Sequence, residues 1–362
     1  MPAKSDFHIA VLPGDGIGPE VMAPALEVLH RIEATTPDLR FRFTEAPAGA
    51  GYYREHGKSM PEGTVKLCRE ADAILLGACG LPQVRYPDGT EIMPQVELRF
   101  IFDLYAGVRP ARLVPGVPCP IVGGAERGID LVLIRESTEG LFASMGKGVV
   151  TRDEARETLL ITRKTSQRLF EFSFRLAERR KARGRPGKLA CIDKANAFKA
   201  YAFFRQIFDQ CAGRHPGVTA ERFYVDACAA MLVRRPWDFD VMVMENMFGD
   251  ILSDLTAGLI GGMGMAPSAD IGDTHAVFQP CHGTAPDIIA TALPRSLRRS
   301  WQRSKWFRPL ICPLLRWAEL WLTFAHRLCF DRPTAPEQKP TNSAQPRKHQ
   351  EARRWAGHIA QP

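Results

Sequence analysis

Residues 239–254 read FDVMVMENMFGDILSD, an apolar run that passes directly into an amphipathic stretch. The run Phe239–Met244 predicts a buried strand, and the segment Asp250–Leu259 predicts a helix. Asp250 and Asp254 are four residues apart, so they would share one face at the start of that helix. Two convergent carboxylates suit a hard cation such as magnesium or manganese, but capping and the helix dipole also favour aspartate there. The spacing alone favours neither interpretation.

The alternation of short apolar runs and amphipathic stretches continues on both sides of this segment. A helix is predicted after Pro19, and others over Asp153–Lys181 and Ala195–Gln210. The Gly-rich run Gly258–Gly264 breaks the pattern after the segment Asp250–Leu259. This pattern is typical of an α/β fold in which helices cover the strands. The remaining predicted strands are Phe7–Leu12, Ala73–Gly77, Asp130–Ile134 and Lys188–Ile192.

Length and composition indicate an ordinary globular protein. With 362 residues, 45% of them hydrophobic, the chain is long enough for two lobes with sizeable cores. The N-terminal stretch MPAKSDFHIAVLPGDG contains no apolar signal region, so we expect a cytoplasmic protein. The nine cysteines are scattered without a Cys-x-x-Cys pair and are expected to be reduced thiols.

The net charge of +8 comes from the C-terminal tail. Residues 291–362 contain 11 Arg and 3 Lys against 4 acidic residues, or +10, which leaves 34 basic and 36 acidic residues, or −2, in the body. The body therefore lacks the basic signature of a nucleic-acid-binding protein. The tail holds five of the six tryptophans and one of the thirty glycines, and its apolar part is interrupted by prolines and charges. We expect it to be disordered or irregular and not a membrane span, with a membrane-surface helix as the less favoured alternative.

Two further charged residues follow apolar runs. Lys194 ends the run LACID, at the position where open α/β sheets place functional groups. A partly desolvated lysine beside a metal can act as a general base, although a lone lysine is more often a solvated surface residue. Asp226 lies where a predicted strand gives way to a helix, and could add a third carboxylate to a metal site. Taken by itself, Asp226 is more simply interpreted as a helix cap.

Three arginines and two small-residue loops complete the candidate chemistry. Arg99, Arg109 and Arg135 each follow or end an apolar run, as a guanidinium fork for a carboxylate would, but isolated arginines are usually solvated. The loop LPGDGIGPE (residues 12–20) predicts a tight turn but is not the Gly-x-Gly-x-x-Gly fingerprint of the Rossmann fold. A second loop could let a phosphate or adenosine approach its backbone; it consists of His282, Gly283, Thr284, Ala285, Pro286 and Asp287.

Seven segments, in this order, closely resemble the β-decarboxylating dehydrogenases, the isocitrate and isopropylmalate dehydrogenase family. The resemblance covers residues from about 7 to 288. The segments are LPGDGIGPE (12–20), ELRFIFDLYAGVRP (97–110), RESTEGLF (135–142), DKANAF (193–198), VDACAAM (225–231), ENMFGDILSD (245–254) and HGTAPDI (282–288).

The resemblance implies a two-lobed α/β fold of the isopropylmalate dehydrogenase type, distinct from the Rossmann fold. Residues 1–104 and 261–290 would form the nucleotide-binding lobe, with its C-terminal part missing. Residues 105–260 would form the substrate and dimerisation lobe, and residues 291–362 would be an aberrant basic tail. The resemblance further implies a homodimer, with active sites that lie in the cleft between the lobes and are shared by the two subunits.

It also assigns roles to the candidate residues. Arg99, Arg109 and Arg135 would bind substrate carboxylates, and Gln95 and Val96 would face the variable group of the substrate. Asp250 and Asp254 would bind Mg²⁺ or Mn²⁺ together with Asp226 of the partner subunit. Lys194 of the partner subunit would remove the hydroxyl proton. The loop from His282 to Asp287 would bind NAD.

The implied function is NAD- and metal-dependent oxidation, with or without decarboxylation, of a 2-hydroxy di- or tricarboxylic acid of the 3-isopropylmalate type. A tartrate or D-malate type dehydrogenase is one alternative, and a catalytically silent relative with only a structural, dimerising role is another. Asp287 favours NAD, because an acidic residue there accepts the ribose hydroxyls and repels a 2′-phosphate.

The chain departs from the family pattern at three places. Phe142 stands where the family has a tyrosine that donates a proton, and phenylalanine cannot donate one, so Ser137, Ser144 or water would have to replace it. Gln95 is polar where isopropylmalate enzymes are apolar, so the substrate is left open. The Gly-x-x-x-Ala-Asn-Pro segment expected after Ile288 is absent, which suggests a shifted reading frame in the 3′ end of the gene.

Overall fold

The computed structural model describes residues 5–289. One compact unit, here called the central unit, is Asp103–Thr274; the described residues before and after it form the terminal unit. The sequence placed the second boundary at residue 260, whereas the structure places it after Thr274. The difference arises because the strand Pro267–Ile271 pairs antiparallel with the strand Ala106–Arg112 of the central unit. The predicted tail, residues 291–362, lies outside the described residues.

The terminal unit is a parallel sheet with helices. Its four strands lie side by side in the order Arg40–Glu45 (β2), Asp6–Leu12 (β1), Ala73–Leu76 (β3) and Ala276–Pro280 (β12), and every neighbouring pair is parallel. The middle strand β1 is buried over most of its length, which fits the continuous apolar sequence expected of a parallel strand covered on both faces. With elements numbered in chain order, this unit contains β1 (Asp6–Leu12), α1 (Gly18–Thr35), β2 (Arg40–Glu45), α2 (Ala50–His56), α3 (Glu62–Glu70), β3 (Ala73–Leu76), α4 (Pro94–Ile101) and β12 (Ala276–Pro280).

The central unit contains a mixed sheet. Its strands lie in the order Pro267–Ile271 (β11), Ala106–Arg112 (β4), Asp130–Glu136 (β5), Val241–Met244 (β10), Lys188–Asp193 (β8) and Thr219–Tyr224 (β9). Strand β4 is antiparallel to both of its neighbours, and the pairs β5·β10, β10·β8 and β8·β9 are parallel. A separate antiparallel hairpin is formed by β6 and β7. The elements are β4 (Ala106–Arg112), α5 (Gly124–Arg127), β5 (Asp130–Glu136), β6 (Val149–Val150), β7 (Ala155–Arg156), α6 (Arg163–Lys181), β8 (Lys188–Asp193), α7 (Lys199–Ala212), β9 (Thr219–Tyr224), α8 (Val225–Leu232), β10 (Val241–Met244), α9 (Asn246–Leu259) and β11 (Pro267–Ile271).

Aromatic side chains join α6 and α7 in the core of the central unit. Phe170 and Phe174 are four residues apart on α6, and Phe204 and Phe208 are four apart on α7, so each pair faces one side of its helix. The ring centres of Phe170 and Phe204 are 4.6 Å apart, and those of Phe174 and Phe208 are 5.3 Å apart. All four side chains are buried, and this packing holds the two helices together over the sheet.

The predicted α/β pattern is confirmed, and all five predicted strands are present with ends within two residues of those expected. Helix α6 begins at Arg163 rather than Asp153, because residues 149–156 form the β6–β7 hairpin and Thr162 caps the helix by accepting a hydrogen bond from the Thr165 backbone N–H. Helix α7 likewise begins at Lys199 rather than Ala195. Among residues 5–289, none of the helices combines the length and apolarity that a membrane crossing needs. Six strands were not predicted, namely β2, β4, β6, β7, β11 and β12, and the strand before Asp226, β9, was predicted without bounds.

Candidate active site

The sheet of the central unit brings charged residues to one edge. Arg135 lies at the end of β5, Lys194 follows β8, Asp226 follows β9 and Asp250 lies in the helix that follows β10. Because these four strands are parallel, their carboxyl ends lie at the same edge, where α/β proteins place their functional groups. Four of the predicted site residues therefore share one edge of the sheet.

Arg109 and Arg135 are neighbours on adjacent strands. Gly107 pairs directly with Arg135 across β4 and β5, and Arg109, two residues further on, lies on the same face as a diagonal neighbour. Both side chains are buried, with exposures of 6% and 4%. An arginine so deeply buried needs a fixed partner for its charge. Arg109 and Arg135 are therefore buried on the same face of neighbouring strands.

The partners of the two arginines differ. Arg109 donates to the Ala269 carbonyl at 3.0 Å and forms an ion pair with the buried Asp270 at 3.3 Å. Arg135 donates from Nε to Asn246 Oδ1 at 2.9 Å, and its Nη1 forms an ion pair with Asp250. The sequence had not singled out Asp270 or Asn246 as site residues; Asn246 lies within the motif ENMFGDILSD, whereas no local pattern marks Asp270.

Phe142 lies against Arg135. The guanidinium carbon of Arg135 is 5.1 Å from the centre of the Phe142 ring, a cation–π distance. The position of the expected tyrosine is therefore beside a proposed substrate arginine, but it carries no hydroxyl. Ser144, one of the candidate replacements, donates to Glu157 Oε2 at 2.8 Å. Ser137 is buried and lies at long distances from the Arg135 carbonyl and Asp270, at 3.4 and 3.5 Å.

Lys194 and Asp226 form a second pair. Lys194 Nζ donates to Asp226 Oδ1 at 2.7 Å, and this hydrogen bond holds the pKa of the Asp226 carboxyl below its usual value. The Asp226 side chain is 67% exposed and that of Lys194 is 27% exposed. Arg205 donates two hydrogen bonds, at 2.7 and 2.8 Å, to the buried carboxylate of Asp193, the residue before Lys194.

The acidic residues do not form a three-ligand metal site within one chain. Asp250, with a side chain 49% exposed, and the exposed Asp254 are one turn apart in α9. Among residues 5–289 there is no group of three or more His, Cys, Asp or Glu side chains arranged around one ion position. The described chain therefore offers at most part of a metal site, and Asp226 is found with Lys194.

Buried carboxylates organise the backbone behind these residues. Glu136 accepts hydrogen bonds from Thr138 and from the Glu139 backbone N–H, yet burial raises its pKa to about 7. Glu245 caps α9 by accepting from the backbone N–H of Met247 at 2.9 Å, and burial raises its pKa as well. The two carboxylates fix the end of β5 and the start of α9.

In the terminal unit, the predicted substrate residues lie on α4. Arg99 and Val96 are buried, and Gln95 is partly buried. The Gln95 Oε1 atom is shielded from solvent and has no hydrogen-bond partner among the described residues. Such an atom normally has a partner when it is buried, so it marks a place for a donor from outside the described chain.

The two glycine-containing loops of the terminal unit meet. The Ile17 backbone N–H donates to the Thr284 carbonyl at 2.9 Å, and Thr284 Oγ1 donates to the Gly80 carbonyl at 2.7 Å. Asp15 joins three chain segments by accepting from the N–H groups of Ala50, Gly51 and Gly80, at 2.7, 2.8 and 2.9 Å. The sequence predicted both loops but not their contact.

The second loop is open on its outer side. Gly283 has no atom within 4 Å of the position that a Cβ would take, and Asp287 is exposed at the end of the loop. The His282 ring nitrogen Nδ1 lies 2.8 Å from the Gly283 carbonyl oxygen, and Ala285 has a left-handed φ of 38°. Pro286 begins the short 3-10 turn Pro286–Ile288 that presents Asp287. This open backbone with a carboxylate fits a nucleotide better than a packed loop would.

Comparison with known proteins identifies the class of enzyme. The chain is 41% identical, over 285 residues, to 3-isopropylmalate/3-methylmalate dehydrogenase of Methanocaldococcus jannaschii, covering 77% of this chain and 79% of that protein. It is 36% identical to a probable tartrate dehydrogenase/decarboxylase of Bacillus subtilis, covering 82% of this chain and 83% of that protein. The crystal structure of isocitrate dehydrogenase from Methylococcus capsulatus matches with a TM-score of 0.67 and 35% identity, covering 78% of this chain and 79% of that one.

These relatives define a hydroxy-acid dehydrogenase. The chain belongs to the isocitrate/isopropylmalate dehydrogenase family, whose profile matches residues 8–295. The resemblance noted in the sequence and the two-lobed α/β fold that it implied are both confirmed.

Proposed function

We propose that this chain oxidises the hydroxyl group of a 2-hydroxy di- or tricarboxylic acid, with NAD as the hydride acceptor and Mg²⁺ or Mn²⁺ as the metal ion. The observation that carries the proposal is the arrangement of Arg109, Arg135 and Asp250. Two buried arginines lie on one face of adjacent strands, and the half-exposed carboxylate of Asp250 contacts Arg135. This arrangement suits a substrate with carboxylate groups next to a metal ion.

The start of α9 would hold the metal ion. Asp250 and Asp254 offer carboxylate oxygens from one helical turn, which are the donors that magnesium and manganese prefer. One chain supplies too few ligands, so we infer that Asp226 of the partner subunit completes the set. A divalent ion in this place makes the hydroxyl that it binds more acidic.

Lys194 would take the hydroxyl proton, directly or through water. Its Nζ is held at one place by the hydrogen bond to Asp226. Lys194 and Asp226 would act on the substrate bound by the arginines of the other subunit.

The loop His282–Asp287 would bind NAD. The open backbone at Gly283 allows a close approach of the nucleotide, and the exposed carboxylate of Asp287 can accept hydrogen bonds from ribose hydroxyls. A nicotinamide cofactor held by this loop would supply the acceptor for the substrate hydride. Asp287 would also repel a 2′-phosphate and so favour NAD over NADP.

Two observations favour a polar substrate of the tartrate or D-malate type as the second candidate. Gln95 would place a polar amide at the variable group of the substrate, where a substrate hydroxyl could hydrogen-bond and an isopropyl group could not. Phe142 lacks the hydroxyl that would protonate a decarboxylated product. Both features suit a simple oxidation, with Arg99 as a further carboxylate-binding residue.

A homodimer is proposed from the apolar surface of the central unit. Val150, Ile251 and Phe198 are 80%, 61% and 59% exposed, which leaves large apolar side chains for a second copy to cover. The body of the chain carries a charge of −2, which gives no reason to expect nucleic acid as a partner. We propose that the dimer works in the cytoplasm.

The full chain should be mixed with NAD, Mn²⁺ and, in turn, isopropylmalate, isocitrate, D-malate and tartrate, while the absorbance of reduced nicotinamide is followed. Turnover that disappears with EDTA and returns with Mn²⁺ supports the proposal. Asp250→Asn should lose the turnover that Mn²⁺ restores to the wild type, and the exposed Asp88→Asn is the matched control. Absence of both turnover and NAD binding would show that the chain is a silent relative.

A further inference from the structure

The first turn of α9 encloses the side chain of Arg135. Asn246, Gly249 and Asp250 lie on one face of that turn, at positions i, i+3 and i+4. Asn246 accepts a hydrogen bond from Arg135 Nε, Gly249 lies against the root of the side chain, and Asp250 pairs with Nη1. Three residues of one helical turn therefore contact three different parts of the same arginine.

Asn246 can hold its amide in one orientation only. The residue is fully buried, its Oδ1 accepts from Arg135, and its Nδ2 donates to the Glu139 carbonyl at 3.0 Å. Nδ2 also lies 3.5 Å from Glu136 Oε2. Turning the amide over would place a donor against the guanidinium and an acceptor against a carbonyl. Its neighbours thus fix Oδ1 toward Arg135.

Gly249 leaves the space that the arginine stem occupies. A Cβ at this position would lie 2.6 Å from both Cβ and Cγ of Arg135 and 3.0 Å from its Cα. Real contacts are not that short, and the atoms involved are at the backbone end of the side chain, where rotation about distal bonds gives no relief. Any larger residue at 249 must therefore displace Arg135 or the helix.

We propose that Asn246 and Gly249 are positioning residues that set the direction in which Arg135 presents its guanidinium group. Through them, the start of α9 fixes the place of a bound carboxylate relative to Asp250. The part that concerns substrate rests on the proposed function, whereas the hold on Arg135 does not.

The test of Gly249 uses a second glycine of the same helix as its control. Gly258→Ala changes α9 by the same methyl group, but no atom lies within 4 Å of it. Gly249→Ala should raise the KM for the hydroxy acid by at least about tenfold, the equivalent of one lost charge-assisted hydrogen bond, and leave the KM for NAD unchanged. Gly258→Ala should match the wild type in both. Equal KM values for the hydroxy acid in the two variants would overturn the proposal.

A spectroscopic measurement tests whether Asn246 and Gly249 hold Arg135 in place, and it does not require the enzyme to turn over a substrate. The protein is labelled with ¹⁵N-arginine, and the Nε–Hε signal of Arg135 is assigned by its absence in Arg135→Lys. The Hε proton of Arg135 should exchange with water more slowly than the Hε protons of exposed arginines. Asn246→Ala should abolish this protection. Rapid exchange in the wild type would overturn the proposal, whether or not the variants fold. Slow exchange in a chain without turnover would leave the positioning intact and contradict only the proposed function.

Discussion

Lys194 and Asp226 follow neighbouring parallel strands and meet as an ion pair, with Nζ 2.7 Å from Oδ1. The pair lies at the sheet edge that also carries Arg135 and Asp250, which form an ion pair of their own. A residue set divided into two pairs suits a site that two subunits assemble.

Lys194→Gln should lower kcat by about 10²–10⁴-fold, the usual contribution of a general base, while the melting temperature stays near that of the wild type. The matched control is Lys188→Gln, at the other end of β8, where the lysine is paired only with Glu221. Steady-state kinetics and a thermal melt of both variants provide the check. Equal kcat values for the two variants would remove Lys194 from the mechanism.

Mixing two inactive variants offers an independent check of the shared site. Lys194→Gln and Asp250→Asn each destroy a different half, so a mixed dimer contains one site with both halves intact. Random exchange in an equal mixture makes half of the dimers mixed, and one of the two sites in each mixed dimer is intact. Refolding the mixture should therefore restore about a quarter of wild-type activity if the two halves of a site come from different subunits. No recovery after verified subunit exchange would contradict the division.

Phe142→Tyr should increase the yield of carbon dioxide per reduced nicotinamide, because the new hydroxyl stands beside Arg135 and can donate a proton. Phe203→Tyr is the control, since Phe203 also lies under an arginine, Arg163, at 5.2 Å. The measurement is the ratio of the two products with isopropylmalate or D-malate as substrate. An unchanged ratio would mean that another group already supplies the proton.

Asp15→Asn should destabilise the protein by about 1.5–3 kcal/mol, because an amide cannot accept hydrogen bonds from three backbone N–H groups as the carboxylate does. Asp88→Asn is the control: Asp88 is exposed and bonds only to Thr90, so its effect should stay within about 0.5 kcal/mol. Urea unfolding followed by circular dichroism measures both. Similar midpoints would show that Asp15 contributes no more than a surface residue.

The stability contributed by His215 should depend on pH. Burial alone lowers the pKa of His215, but its hydrogen bonds with Glu178 and Glu171, at 2.8 and 2.9 Å, outweigh burial and raise it. A raised pKa in the folded state means that the stabilisation is complete below the ordinary value of about 6.5 and is lost as the pH rises through the folded-state value.

His215→Gln should therefore lower the melting temperature more at pH 6 than at pH 9, with a loss of about 1 kcal/mol, or roughly 2–4 °C, at the lower pH. The exposed His56→Gln serves as control and should show no such dependence. A His215→Gln effect that is equal at the two pH values would contradict the assigned ion pairs.

The sequence predicted the features that depend on local pattern. Buried strands such as Lys188–Asp193 are continuous apolar runs, and the family motifs marked the arginines, the lysine and the aspartates. Strand β2 was missed because it alternates charged and apolar residues at the edge of a sheet, which a short window does not separate from a loop. Helix α6 was predicted too long for a similar reason, since the hairpin before it is polar.

The residues that support the site could not be predicted, because their roles depend on partners far along the chain. Asn246 is hydrogen-bonded to Arg135, although the two are 111 residues apart in the sequence. Arg109 and Asp270 are likewise bonded at a separation of 161 residues. Asn246 reads locally as part of a helix start, and Asp270 as a polar residue in a short apolar run. The pairing of β10 with β5 brings Asn246 to Arg135, and the pairing of β11 with β4 brings Asp270 to Arg109.

Strand β12 pairs with β3, where Val277 lies opposite Ile74, although the whole central unit separates them along the chain. During translation, β3 is therefore synthesised before its partner β12, and one edge of β3 stays unpaired until about two hundred further residues have been added. An open strand edge is a template for pairing with other nascent chains. The most aggregation-prone period in the life of this protein is thus its own synthesis, and slower translation of the central unit would lengthen that exposure.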